Sequence, residues 1–84
     1  MTLIQSPLQL GNALRQARKQ LGLTQSQLAL ASGVGVRFIV DLEAGKPTLR
    51  LENILRVVNA LGGELQISGL PSSVVEELSK EVRP

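Results

Sequence analysis

The 84-residue sequence contains no cysteine, histidine, tryptophan or tyrosine, and its only aromatic residue is Phe38. Without thiols and imidazoles the chain cannot form disulfides or the metal sites that those side chains build, so we expect no metal and no cofactor. Proteins that bind single-stranded nucleic acid stack its bases on several aromatic rings. A single phenylalanine argues against that function. We expect Phe38 to lie in the core or to wedge between helices.

Long hydrophobic runs are also absent. No apolar stretch approaches the ~20 residues that a helix needs to span a bilayer. Met1 to Pro7 lack the basic and apolar segments of a secretion signal, so we expect a cytoplasmic protein that does not contact membranes. The sequence contains neither a glycine-rich phosphate loop nor a recognisable set of catalytic side chains, and an enzyme is therefore not expected.

The composition favours one small folded domain. Hydrophobic residues make up 43% of the chain and are almost all aliphatic, which is typical of a core of leucine, valine, isoleucine and alanine. A chain of this length buries only roughly 60% of its unfolded surface, so oligomerisation or tight helix packing must contribute to its stability.

Charge is distributed unevenly along the chain. Residues 1–50 contain six Lys or Arg and two acidic residues, a net charge of +4, whereas residues 51–84 contain three and five, a net charge of −2. A basic half that faces a polyanion and an acidic half that faces a protein partner would explain this difference. An ordinary solvated surface would explain it as well.

Caps and hydrophobic periodicity predict four helices. Ser6 and Thr24 each precede a capping-box glutamine by three residues, and Thr48 is a third expected cap. Apolar residues at helical spacing place the helices at about residues 7–21, 25–31, 35–44 and 49–61. The last helix has the most regular apolar face, which consists of Leu51, Ile54, Leu55, Val58 and Leu61.

The remaining sequence predicts one strand and a short terminal segment. Residues 64–68 alternate between polar and apolar, as in a half-buried strand. Residues 73–82 predict a short helix or a frayed end.

The two short helices, 25–31 and 35–44, are joined by a tight turn that contains Gly33. This is the helix-turn-helix arrangement. It requires a small residue, Ala29, where the helices cross, a glycine where the turn takes a positive backbone angle, and an apolar plug such as Ile39 between the helices.

Four stretches of this region resemble the phage-repressor/Cro-type (XRE) helix-turn-helix family, over about residues 8–62. They are Gly22–Ala29, Ser32–Val34, Phe38–Ile39 and Leu42–Pro47. The extension Leu61–Ile67, together with Ser6 and Pro7, is similar to the HipB-type antitoxins, which partner HipA-type kinase toxins. The resemblance implies an all-α, lambda-repressor-like bundle of four main helices with one C-terminal β-strand that forms an intersubunit ribbon.

This resemblance divides the chain into four parts. We expect an N-terminal arm at 1–6, a helix-turn-helix DNA-binding domain at 7–62, a dimerisation strand at 63–69 and a C-terminal tail at 70–84.

In the helix-turn-helix arrangement, the second helix enters the major groove with its N-terminal residues forward. The expected base-reading residues are Val36, Arg37, Val40 and Asp41. Arg37 can bond O6 and N7 of a guanine, or it contacts a phosphate or remains a free surface charge. Val36 and Val40 can touch thymine methyl groups, although Val36 can equally be a packing residue. Asp41 either accepts from a cytosine amino group or forms an internal salt bridge with Arg37.

Phosphate contacts are expected on both sides of that helix. The start of helix 25–31 presents free backbone N–H groups to the sugar-phosphate backbone, with Thr24 and Gln25 beside them. Gly35 begins the second helix, and Lys46 and Arg50 follow it. Such contacts position a protein on DNA without reading its sequence.

The predicted strand at 64–68 has no partner within an otherwise helical chain. An unpaired strand leaves backbone groups without hydrogen bonds, so we expect it to pair with the same strand of a second copy, through Leu65 and Ile67 facing helix 49–61. Such a homodimer would place two recognition helices about 34 Å apart on a palindromic operator. An ordered coil that covers the bundle is the alternative.

Together these observations predict a transcriptional repressor that binds double-stranded DNA in a sequence-specific manner. The resemblance implies the antitoxin of a toxin–antitoxin pair that regulates its own operon, with a HipA-like kinase toxin as partner. A stand-alone phage-type regulator is the nearest alternative. A pure protein-interaction module is a further one, and it would lack salt-sensitive binding to duplex DNA.

Overall fold

The computed structural model describes residues 2–71, and these contain four helices. The helices are α1 (Pro7–Gln20), α2 (Gln25–Ser32), α3 (Val36–Glu43) and α4 (Leu51–Ala60). The predicted all-α architecture and the order of its helices are confirmed, with ends shifted by one or two residues.

Helix α1 begins where the sequence predicts. The Ser6 hydroxyl accepts the Gln9 N–H at 3.2 Å, and Pro7 occupies the first turn, where its missing N–H costs nothing. The predicted capping box is only half formed, because the Gln9 side chain accepts the N–H of Gln5 and not that of Ser6. Gly22, with a φ of +72°, lies directly after the C-cap Leu21.

Helix α2 carries the complete capping box. The Thr24 hydroxyl accepts the Gln27 N–H at 3.0 Å, and the Gln27 side chain accepts the Thr24 N–H at 2.8 Å. The helix ends at Gly33, whose φ of +72° favours glycine. The predicted cap and the predicted role of Gly33 in the turn to α3 are therefore both confirmed.

The prediction that Thr48 caps the fourth helix is wrong. Helix α4 begins at Leu51, with Arg50 at the N-cap and no side-chain cap hydrogen bond. Leu49 lies outside the helix and packs half-buried against the core. Burial of this side chain therefore accompanies a helix start later than the one that local capping chemistry predicts.

The predicted apolar face of α4 is right at Ile54, Val58 and Leu61 but wrong at Leu51. Leu51 is 60% exposed, whereas Val57, absent from the predicted face, is 0% exposed. The inward positions are Ile54, Val57, Val58 and Leu61. Their spacing of i, i+3, i+4 and i+7 is that of a core-facing stripe.

The core lies where the four helices meet. Helix α2 packs against α3 and α4, and α1 packs against α3. The buried residues of the core are Leu14, Leu28, Ala29, Ile39, Leu42, Val57 and Val58. Phe38 packs partly buried against them, which confirms the predicted core position of the single aromatic ring.

The chain after α4 forms no strand in the described structure. Residues 63–68 adopt neither helix nor strand, and Leu65 and Ile67 are 49% and 72% exposed. The prediction that both side chains face the fourth helix would require them to join the core. Within one chain, neither of them does. The intersubunit ribbon, which needs a second copy, stays a prediction, and the terminal helix predicted at 73–82 lies outside the described residues.

Within residues 2–71, no helix is both long enough and apolar enough to span a bilayer.

Candidate nucleic-acid interface

One side of α3 faces solvent and carries the predicted base-reading residues. Val36, Arg37 and Val40 are exposed and Asp41 is half-buried, whereas Ile39 and Leu42 point into the core. Residues at i, i+3 and i+4 share one side of a helix. Because Ile39 and Leu42 are buried, the predicted base-reading residues lie on the opposite side and face outward. The structure therefore brings all the predicted base-reading side chains onto one open surface.

The entrance to this surface is sterically open. Gly35 is the N-cap of α3, is exposed and makes no side-chain cap bond. A Cβ built on Gly35 would meet no atom within 4 Å. The space in front of the first turn of α3 is therefore available to a second molecule.

Asp41 forms ion pairs with the two cations beside it. Its Oδ1 lies 3.3 Å from Nε of Arg37, and its Oδ2 lies 3.7 Å from Nζ of Lys46. Of the two interpretations left open by the sequence, the free chain shows the internal salt bridge. Both carboxylate oxygens have a cationic partner, which leaves Asp41 poorly placed to accept from a cytosine.

The predicted phosphate-binding side chains at the start of α2 already have partners. The Thr24 hydroxyl is engaged in the cap, and Nε2 of Gln25 donates to Oε1 of Glu43 at 3.1 Å. The first N–H groups of a helix have no intrahelical acceptor, and Thr24 satisfies only that of Gln27. Backbone N–H groups at Gln25 and Ser26, rather than side chains, are the donors that this helix end offers.

The remaining predicted phosphate contacts are exposed. Lys46 lies beside α3 through its ion pair with Asp41. Arg50 lies at the start of α4, where Nη2 is 3.7 Å from Oε2 of Glu52. The ion pairs of the described chain therefore join Lys46, but not Arg50, to the α3 surface.

Sequence reasoning missed a buried ion pair behind this surface. Nε of Arg18 lies 2.6 Å from Oε2 of Glu43, and Nη2 donates to Oε1 at 3.0 Å. Nη1 of Arg18 also donates to the carbonyl oxygen of Leu23 at 2.8 Å. Since Gln25 bonds the same carboxylate, the network ties α1, the start of α2 and the end of α3 together.

The ionisation of this pair follows from its hydrogen bonds. Burial raises the pKa of the Glu43 carboxyl, but hydrogen bonds from Arg18 and Gln25 and the nearby charges of Arg18 and Arg15 outweigh it and hold the pKa below 4.5. The hydrogen bond to Glu43 raises the pKa of Arg18. Both groups are therefore charged at neutral pH, and the pair is fully formed.

A sequence signal for the pair exists in α1. Its buried residues are Gly11, Leu14 and Arg18, which fall at i, i+3 and i+7 on one stripe. The arginine thus continues the apolar face, a position at which a charged side chain needs a buried partner.

The chain is similar in sequence to known transcription regulators. The family model described as Helix-turn-helix matches residues 14–67. An uncharacterised HTH-type transcriptional regulator, y4mF of Sinorhizobium fredii, is 47% identical over 64 residues, which are 76% of this chain and 84% of that protein. An uncharacterised HTH-type transcriptional regulator of Methanothermobacter thermautotrophicus is 43% identical over 51 residues, which are 61% of this chain and 74% of that protein.

Solved structures of HipB complexes share the fold. A chain of a HipA-HipB-O2-O3 complex superposes with a TM-score of 0.77 at 28% identity, over 84% of this chain and 100% of that one. A chain of a HipB-O4 20mer complex gives a TM-score of 0.76 at 28% identity, with the same coverage. The resemblance to HipB-type proteins is thereby confirmed. The chain belongs to the helix-turn-helix family of DNA-binding transcription regulators of the phage-repressor (XRE) type.

Proposed function

We propose that this protein is a transcriptional repressor that binds a palindromic operator in double-stranded DNA as a homodimer. The observation that carries the proposal is the outward face of α3, where Arg37 and two valines are exposed beside Lys46. A helix that presents a basic fork and apolar groups, with open space at its N-terminus, has the chemistry of a major-groove reader.

The groups on this face and beside it have two roles. Arg37 reads a guanine with its fork, and Val36 and Val40 contact thymine methyl groups. Lys46 and Arg50 neutralise phosphates, and Gly35 with the backbone N–H groups at Gln25 and Ser26 lets the phosphate chain approach closely. The first set fixes which sequence is bound, and the second set supplies affinity that falls as salt rises.

A second copy of the chain is part of the proposal. Within residues 2–71, Leu51, Leu65, Ile67 and Leu70 are large apolar side chains left exposed on α4 and after it. Pairing of residues 63–69 with their symmetry mate would cover Leu65 and Ile67 and satisfy the backbone groups of this segment. We therefore assign residues 7–62 to DNA binding and residues 63–69 to dimerisation.

We further propose that the protein is an antitoxin whose partner is a HipA-like kinase toxin and that it represses its own operon. The support is the similarity in fold to a HipB chain found in complex with HipA. A stand-alone regulator is the second candidate, and the relative from Sinorhizobium fredii, which is named only as a transcriptional regulator, favours it. In both cases the DNA-binding surface is the same.

Footprinting on the region upstream of the protein's own gene tests the repressor. We expect two protected half-sites, centred about 34 Å or a multiple of it apart. Arg50→Gln should weaken binding to every sequence alike and flatten the log–log salt slope by about 0.9, whereas it should leave the protected sequence unchanged. Equal binding to a shuffled duplex of the same composition would contradict the proposal.

A second experiment separates the antitoxin from the stand-alone regulator. The products of the adjacent genes are purified and mixed with the protein before footprinting. An antitoxin should form a stable complex with a neighbouring kinase-like protein, and the footprint should change when that complex forms. If no adjacent product binds and repression is complete without one, the protein is a stand-alone regulator.

A further inference from the structure

The acidic side chain on the outward face of α3 is an unusual neighbour for DNA. Asp41 retains a 19% exposed side chain on the surface that, in the proposed function, meets a polyanion. A carboxylate in that place is repelled by phosphate and lowers the affinity for any duplex. We therefore expect Asp41 to offset this loss of affinity by contributing either to folding stability or to DNA recognition.

The contribution of Asp41 to folding stability is small. The ion pair between Asp41 and Arg37 joins positions i and i+4, and the Arg37 side chain is 84% exposed. Exposed pairs of this kind add little to stability, because solvent screens the charges and two side chains lose freedom. The pairing with Lys46 is longer still, at 3.7 Å.

The geometry of the Arg37 pair suggests what Asp41 does. Its Oδ1 lies 3.3 Å from Nε of Arg37, the nitrogen on the inner side of the guanidinium. An arginine reads guanine with two parallel hydrogen bonds to O6 and N7, for which the two terminal nitrogens suffice. A contact at Nε therefore holds the side chain without occupying the end of the fork.

We propose that Asp41 is a positioning residue that fixes Arg37 for the recognition of one guanine in each half-site. The proposal rests on the DNA-binding function and adds the base class that α3 selects. Lys46 contributes by pairing with the second oxygen of Asp41, so that the cluster keeps a net charge of +1, the sum of two cations and one carboxylate. Asp41 acts through Arg37 and contacts no base itself.

The physical basis is the entropy of a long side chain. A free arginine loses rotamer freedom when it binds, which costs about fivefold in affinity per immobilised side chain. An arginine whose freedom is already restricted by Asp41 avoids part of that loss when it meets guanine. The gain appears only where Arg37 has a bidentate partner, so it increases discrimination between bases and not general affinity.

The test selects binding sites from a pool of duplexes that is randomised over the operator length. The variants are Asp41→Asn, Arg37→Lys and Arg37→Ala, with Glu52→Gln as the charge-matched control. Glu52 also forms exposed ion pairs, with Arg50 at 3.7 Å and Arg56 at 3.4 Å, but it lies on α4. Circular dichroism and a thermal melt confirm that each variant is folded.

We expect the wild-type protein to select one guanine per half-site. Both Arg37 variants should lose that guanine, and Arg37→Lys should keep more affinity for random duplex because it keeps the charge. Asp41→Asn should lower the preference for the same guanine by up to about fivefold. It should also bind random duplex more tightly, because a repelled charge is gone. Glu52→Gln should leave the selected sequence unchanged.

Three results would overturn the inference. In the first, Asp41→Asn leaves the guanine preference intact. In the second, it alters a different base pair, which would mean that Asp41 reads a base directly. In the third, both Arg37 variants retain the guanine. A wild-type protein that selects no sequence at all would instead overturn the proposed function, so the two failures are distinguishable.

Discussion

The guanidinium of Arg18 and the carboxylate of Glu43 form a buried bidentate pair across 25 residues of sequence, with contacts of 2.6 and 3.0 Å. The pair joins the last turn of α1 to the last turn of α3. It also holds the carbonyl of Leu23 and the side chain of Gln25, at the entrance to α2. The outward face of α3 is therefore oriented from behind by a charged contact as well as by apolar packing.

Removing one member of this pair should be strongly destabilising. Arg18→Met leaves the Glu43 carboxylate buried without its main partner, and the expected loss is about 3–5 kcal/mol in the free energy of unfolding. Chemical denaturation of the two proteins measures it. The double variant Arg18→Met/Glu43→Leu removes both charges and should recover most of the loss. A double variant as unstable as the single one would show that packing, not the unpaired charge, is responsible.

Glu43 should also make stability depend on acid pH. Its folded pKa is lowered, so its contribution is complete above the unfolded value of 4.5 and is lost as the pH falls through the folded pKa. The free energy of unfolding should therefore decrease below about pH 4.5. Denaturation curves of the wild type and of Glu43→Gln, recorded from neutral to acid pH, test this. The gap between them should narrow in acid, and a constant gap would contradict the assignment.

Gly11 offers a test in which helix propensity and packing predict opposite signs. Alanine in the middle of a helix is normally better than glycine by roughly 0.5–1 kcal/mol. At Gly11, however, a Cβ would collide with the carbonyl oxygen of Leu42 and lie 3.0 Å from that of Glu43. Gly11→Ala should thus lower the melting temperature, whereas Asn12→Ala, on the exposed neighbouring position, should not. A stabilised Gly11→Ala would show that α1 and α3 are not so closely packed.

The dimer predicts a clear difference between two exposed leucines. Leu65→Asp places a charge in the proposed pairing segment and should weaken self-association in analytical ultracentrifugation. Leu30→Asp, at an 86% exposed position on α2, is the matched control and should leave the dimer constant unchanged. If both variants associate like the wild type, residues 63–69 are not the interface.

Local chemistry predicted the parts of the fold that are decided within a few residues. The Thr24 capping box needs only Gln27 three positions later, and Gly33 is required by the backbone angle of one turn. Both could therefore be assigned from the sequence. The exposure of Arg37 and Val40 also followed, because burial of Ile39 and Leu42 on a helix fixes the opposite side.

Features decided by distant packing could not be predicted in this way. Thr48 has the chemistry of a cap, but the helix begins at Leu51, after the anchored Leu49. The stripe of α1 on which Arg18 lies indicates a buried partner, but Glu43, 25 residues away, is identified as that partner only by the fold. The same reason explains why the hydrogen bond from the Gln25 side chain to Glu43 could not be predicted from the sequence.

We expect the outward face of α3 to read double-stranded DNA. The most direct measurement is a competition titration, in which a labelled duplex from the upstream region is challenged with its shuffled counterpart at several salt concentrations. Wild-type protein should prefer the native duplex at every salt concentration, with affinity for both duplexes falling as salt rises, and Arg37→Ala should lose most of that preference. A protein that binds neither duplex in dilute buffer, or binds both equally with and without Arg37, would contradict the account.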